Sequence, residues 1–250
     1  MTLLEVVAVL VAGVWAGAIN TVVGSGTLVT FPVLLAVGYP PVVANVSNSI
    51  GLVPGSAAGA WGYRRELAGQ RDRAIRLLSA SVLGAIVGAV LLLSLPAAAF
   101  EAIVPVFIVA ALVLIVLQPR LAKRLAERRP HSDGSPGALT TAAVVGTGVY
   151  GGYFGAAQGI LLLGILGVTL PEDLQHVNAI KNLLAMLVNL VSGIVFAIVA
   201  PVAWEAVALV AVGSIFGGAL GARYGRRLPP DVLRAIIVVV GLVAIVTLVT

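Results

Sequence analysis

No charged side chain stands between Glu5 and Arg64, between Glu101 and Arg120, or between Asp133 and Glu172. Apolar sequence on that scale ends in a large buried core or in a lipid bilayer. Composition decides between them. Of the 250 residues, 60% are hydrophobic and 10% charged, and the mean hydropathy is +1.12. A soluble domain carries ~25% charged residues, and a membrane helix uses ~20 consecutive apolar ones. The expected fold class is all-α, a polytopic helical membrane protein without room for a separate soluble domain. Cysteine is absent, which excludes disulfides, thiol catalysis and thiolate metal sites.

Apolar segments fall at 3–22, 27–38, 42–62, 75–95, 99–118, 138–156, 159–170, 174–199, 202–222 and 231–249. The second and seventh are shorter than the ~17 residues an upright span requires. They read as half-helices or return arms of hairpins. Each follows a polar, Gly-rich break, Asn20-Thr21-Val22-Val23-Gly24-Ser25-Gly26-Thr27 in one case and Gly155-Ala156-Ala157-Gln158-Gly159 in the other.

The net charge of +5 is a matter of placement. Arg64, Arg65, Arg71, Arg73 and Arg76 lie in the 63–76 loop; Arg120, Lys123, Arg124, Arg128 and Arg129 in 119–137; Arg223, Arg226 and Arg227 in 223–230, with Arg234 one turn on. Lys and Arg mark cytoplasmic loops. With both termini outside, every basic loop falls in the cytoplasm of a cell (inner) membrane. The basic balance is thus an orientation signal, and no basic stretch with interleaved aromatics suits nucleic acid. The N-terminus lacks the basic region of a cleaved signal peptide.

The halves repeat. Gly13, Gly17 and Gly24 match Gly148, Gly152 and Gly159; Asn48 and Gly59 match Asn182 and Gly193; Gly84, Gly88, Leu95, Pro96, Ala102 and Ile103 match Gly217, Gly221, Leu228, Pro229, Ala235 and Ile236 at a nearly constant offset. The expected organisation is a first transmembrane repeat over 1–118, a cytoplasmic linker over 119–137 and a second repeat over 138–250. Each repeat holds four to five segments, one of them short. The first begins outside and the second inside, so the repeats are inverted. Inverted repeats with broken helices build secondary transporters, whose ligands bind at the breaks.

The candidate substrate-binding residues follow from that placement. At the first break, Asn20, Gly24, Ser25, Gly26 and Thr27 bring unsatisfied N–H groups and the positive end of a helix dipole to one point. At the second, Gln158 and Gly159 do the same, with an amide donor added. Asn45 and Asn48 share one face of the third segment with Ser49; Asn178, Lys181 and Asn182 share a face of its repeat mate. Lys181 is the one cation well inside an apolar segment, a natural partner for an anion, unless its stem snorkels to the headgroups. Asn189 serves a ligand or a neighbouring helix. Tyr150, Tyr153, Trp61 and Trp204 read as interfacial anchors. His176 is a candidate proton carrier, and His131 carries nothing.

With those residues in view, Gly13–Leu67 (GVWAGAINTVVGSGTLVTFPVLLAVGYPPVVANVSNSIGLVPGSAAGAWGYRREL) resembles the first repeat of the sulfite exporter TauE/SafE family. Gly148–Arg227, with GVYGGYFGAAQGILLLGILGV, HVNAIKNLLAMLVNLVSGIVF and GGALGARYGRRL, resembles its second repeat. The resemblance covers nearly everything but the linker, and the combination of both breaks, Phe31-Pro32 and Pro40-Pro41-x-x-Ala44-Asn45 is specific. It implies a transporter of small sulfur-containing or organic anions, including sulfite and sulfonates. Gly-Ser-Gly-Thr at the first break and Gln158 at the second depart from the family's richer glycine pattern.

The acidic residues all lie in loops or near segment ends. A cation transporter or proton carrier usually places a carboxylate at mid-membrane. No Walker motif, His-Glu-x-x-His or Gly-x-Ser-x-Gly occurs. The expectation is therefore a secondary transporter working by alternating access, not an enzyme, with no cofactor or metal. Its partners are a small anionic substrate and the bilayer. The coupling ion, proton or sodium, is left open, as is a homodimer through the small-residue face Gly213 to Gly221. The alternatives are a passive anion channel and a non-transporting membrane scaffold.

Overall fold

The computed structural model describes residues 1–127, 137–170 and 172–224, with Val238, Val239 and Leu242 beyond them. The rest of the expected segment 231–249, Arg226, Arg227, Arg234, His131 and the repeat matches from Leu228 to Ile236 lie outside the described residues.

Every regular element among the described residues is helical: α1 (Leu3–Val22), α2 (Thr27–Ala36), α3 (Pro41–Gly62), α4 (Arg71–Ser94), α5 (Ala97–Glu127), α6 (Ala138–Tyr153), α7 (Gln158–Thr169), α8 (Leu174–Val199) and α9 (Trp204–Tyr224). Five of them, α1, α4, α5, α8 and α9, contain stretches long and apolar enough to cross a membrane. At three charged flanks the boundaries differ from the sequence reading. α4 begins at Arg71, so Arg71, Arg73 and Arg76 ride on its first turns rather than in a loop. α5 runs on to Glu127, past the expected end at 118. α9 takes in Arg223 in its last turn. Basic side chains continue a helix readily once its apolar stretch has ended.

The surface is apolar and the interior holds the polar groups, the reverse of a soluble protein. Ile198 is 78% exposed, Val106 64% and Phe216 62%, while Asn45, Asn48, Lys181 and Ser25 are fully buried. α3 shows why it reads as weakly apolar. Its 22 residues are long enough to span, but Asn45, Ser47, Asn48, Ser49 and Ser56 all turn inward. α2 and α7 have 10 and 12 residues, which at a 1.5 Å rise is about half the hydrocarbon thickness.

Glycine sets the helix packing. A Cβ on Gly17 would lie 2.3 Å from the Ser214 carbonyl oxygen, and one on Gly84 would lie 2.3 Å from that of Val145. Backbones therefore touch directly, α1 on α9 and α4 on α6. Apolar side chains gain nothing over lipid tails in a membrane, so close backbone approach supplies the association. α3 and α8 pack against each other between these pairs, and α3 also packs on α9. The small-residue face Gly213 to Gly221 is occupied within the chain: Gly213 meets Leu10, Gly217 meets Val14, Gly218 meets Gly55 and Gly221 meets Ala18.

Candidate functional site at two helix breaks

α1 stops at Val22 because Gly24 takes φ +89°, a left-handed turn that favours glycine. α6 stops at Tyr153 ahead of Gly155 at φ +74°. α2 and α7 restart the chain beyond each turn. The two restarts meet. The Gly159 N–H donates to the Gly24 carbonyl at 3.0 Å, and a Cβ on either glycine would lie 2.3 Å from the Cα of the other. Gly24 and Gly159 are the residues that the alignment of the halves equates, so each break touches its own counterpart.

Side chains from α3 and α8 brace both breaks. Asn48 donates from Nδ2 to Thr27 Oγ1 at 3.1 Å, and its Oδ1 accepts from the Thr30 hydroxyl. Asn45 Nδ2 donates to the Tyr153 carbonyl at 3.0 Å, at the end of α6. From α8, Lys181 Nζ donates to the carbonyls of Asn20 and Thr21, each at 3.0 Å. Asn182 Nδ2 reaches Thr21 O at 3.1 Å and Asn178 Nδ2 reaches it at 3.4 Å. The first half thus holds the end of α6, and the second half holds the end of α1. Helix termini leave carbonyls without intrahelical partners, and inside a bilayer only protein groups or trapped water can meet them.

Lys181 does not snorkel, since none of its surface is exposed. Its ammonium sits on the negative end of the α1 dipole, where a cation is stabilised. The ion pairs of Arg73 with Glu172 and of His176 with Asp173 do not involve it.

The junction keeps free polar valence. Ser25 Oγ, Gln158 Nε2, Asn45 Oδ1 and Asn178 Oδ1 are buried and have no hydrogen-bond partner in the protein. The N-caps of α2 and α7, Gly26 and Ala157, make no side-chain capping bond. Gly26 has no room for a side chain, since a Cβ there would lie 2.4 Å from Ala16 O. Gln158 folds against α6, where a Cβ on Gly151 would lie 2.4 Å from its Oε1. A buried hydroxyl at the first break and a buried amide donor at the second are thus without a protein partner, at breaks that touch through Gly24 and Gly159.

All twelve expected site residues, Asn20, Gly24, Ser25, Gly26, Thr27, Asn45, Asn48, Gln158, Gly159, Asn178, Lys181 and Asn182, fall at the breaks or on the side chains bracing them. Asn20 faces Ser56, donating from Nδ2 at 3.0 Å. Asn189 donates to the same Ser56 Oγ at 3.3 Å, so it ties α8 to α3. Thr30 and Ser56 are partners of the break residues that the sequence reading missed; Thr30 could have been found from its i+3 spacing to Thr27. Tyr153 is not an interfacial anchor. It is 7% exposed, and its ring lies 5.7 Å from Phe100 and 6.0 Å from Phe107. Tyr150 joins the same group, 5.3 Å from Phe107. These rings, with Phe31 against Phe154 at 5.2 Å, pack α2, α5 and the second break together. Trp61 and Trp204 remain exposed near helix ends, 70% and 58%. His176 pairs with Asp173, its Nδ1 at 2.9 Å from Oδ2, in the first turn of α8.

The family model described as Sulfite exporter TauE/SafE matches residues 9–248. The chain belongs to the sulfite exporter TauE/SafE family. Among its curated relatives, the Probable membrane transporter protein YfcA of Escherichia coli is 28% identical over 236 residues, covering 91% of this chain and 83% of that protein. The Probable membrane transporter protein ORF9 of a Sinorhizobium species is 26% identical over 234 residues, 93% of this chain and 87% of its own. A Probable membrane transporter protein of Haemophilus influenzae is 26% identical over 231 residues, 91% and 88%. No solved structure matches the chain. Family and relatives place this TauE/SafE member among multi-pass membrane transporters.

Proposed function

We propose that this chain is a secondary transporter of small anions, sulfur-containing or organic, with sulfite or a sulfonate as the leading substrates. The observation that carries this reading is the meeting of the α2 and α7 N-termini at Gly24 and Gly159, with Ser25 Oγ and Gln158 Nε2 buried and unbonded beside them. A tetrahedral or pyramidal oxyanion presents several acceptors and negative charge. The unbonded Ser25 hydroxyl and Gln158 side-chain amide supply donors, and the starts of α2 and α7 supply the positive ends of two dipoles. Lys181 adds a full positive charge one turn before the first break, two of its N–H groups being spent on Asn20 and Thr21.

Transport follows by alternating access. The α1–α9 and α4–α6 pairs are tightly interlocked by glycine contacts and form natural rigid bodies. The crosswise bracing of the two breaks supports a duplicated, inverted architecture in which each half closes the other's site. The basic side chains on the first turns of α4 and in the last turn of α9 favour a cytoplasmic side for those ends.

The test is flux into proteoliposomes of purified protein, with sulfite, sulfoacetate, thiosulfate, a simple carboxylate and a monovalent cation offered separately. The proposal expects saturable flux of a sulfur oxyanion above the empty-liposome rate. Flux of the cation alone overturns it.

A further inference from the structure

We infer that Lys181 is a built-in cation occupying the place where a broken-helix transporter would otherwise bind sodium, so that the site needs no free metal ion. The inference rests on the transport reading only for its consequence in flux; the cation site itself stands on the geometry at the end of α1.

In transporters with discontinuous helices, unwound carbonyls and half-helix C-terminal ends coordinate the coupling cation. The end of α1 has that arrangement. The carbonyls of Asn20 and Thr21 point into the protein just before the Gly24 turn, and both are taken by the Lys181 ammonium at 3.0 Å. Asn178 Oδ1, on a side chain 6% exposed, has no partner, while its amide nitrogen reaches the same Thr21 oxygen. Removing the Lys181 side chain would leave the Asn20 carbonyl without a donor and the Thr21 carbonyl with only amide donors. Neutral oxygen ligands on a helix's negative end suit a hard cation. Among the described residues, the hydrogen bonds of the Lys181 ammonium go to main-chain carbonyls and not to a carboxylate. One positive charge balances the helix end, and the chain supplies it covalently.

The experiment compares the wild type, Lys181→Arg, Lys181→Ser and Lys181→Ala in detergent, by thermal unfolding in sodium chloride and in choline chloride at equal ionic strength, with no anion substrate added. The wild type and Lys181→Arg are expected to unfold at the same temperature in both salts. Lys181→Ser and Lys181→Ala should melt several degrees lower in choline chloride and recover part of that loss in sodium chloride, as a ligand binding only the folded state requires. A wild type stabilised by sodium over choline overturns the inference, as do serine and alanine variants indifferent to the salt. Should neither small variant yield folded protein, labelled-sulfite flux by the wild type decides. Equal flux with sodium or choline on both sides supports the inference, and sodium-dependent flux overturns it. Absence of flux for every anion sinks the transport reading, while the wild-type melting comparison still judges the cation site.

Discussion

Lys181 concentrates the chemistry of the site in one residue. It stands out in the sequence as a single cation inside a long apolar segment, and membrane physics makes such a residue functional by default. Its partners could not be read the same way, because the carbonyls of Asn20 and Thr21 carry no side-chain signature. Burial then decides between snorkelling and an interior role, and Lys181 has no exposed surface. Lys181→Gln keeps a donor but removes the charge. Anion affinity should fall by about tenfold or more, the equivalent of ~1.4 kcal/mol. Titration of purified protein with sulfite measures it, and an unchanged affinity would remove Lys181 from the anion's surroundings. Ser25 was legible as a break residue, but that its hydroxyl stays unbonded is a product of packing among three helices.

At the scale of elements, short apolar runs behind Gly-rich breaks were enough to anticipate α2 and α7, and α8 runs from Leu174 to Val199 as its apolar pattern predicts. Helix ends at charged flanks were less legible, since arginines extend α4 and α9 as readily as they fill a loop. The start of α8 offers a test of capping. Asp173 Oδ1 accepts from the backbone N–H of Gln175 at 2.8 Å and of His176 at 3.0 Å. Hydrogen bonds from His176, backbone first and then side chain, hold the Asp173 carboxyl below the usual carboxylate range. Asp173→Ala should cost about 1 kcal/mol at neutral pH. A lowered folded pKa means that the carboxylate's contribution is complete above the unfolded value, ~3.9. It is lost as pH falls through the folded one. The gap between wild type and variant should therefore hold from neutral pH down to about pH 5 and shrink below pH 4. Melting curves across that range check it, and a gap that widens in acid would contradict the capping account.

The whole molecule is an apolar shell around a polar seam. Charge placement made the class of this architecture legible, because a bilayer punishes a misplaced charge regardless of tertiary detail. The glycine stripe on α9 was legible as a contact surface but not as to its partner. Close approach of a second copy and of α1 or α3 require the same small residues, and the fold uses the stripe for α1 and α3. What no local pattern could show is that the two breaks touch. That contact, Gly159 N–H to Gly24 O at 3.0 Å, is the centre of the proposal that both halves of the chain build one anion site. Gly159→Ala tests it, since the added methyl carbon would lie 2.3 Å from Gly24 Cα and must push the breaks apart. The measurement is labelled-sulfite counterflow in proteoliposomes of wild type and Gly159→Ala, with matched elution from gel filtration to confirm that both are folded. The account predicts sulfite accumulation by the wild type and a loss of about tenfold or more in the variant, the ~1.4 kcal/mol expected when donors no longer converge. Equal counterflow by a folded Gly159→Ala would contradict it.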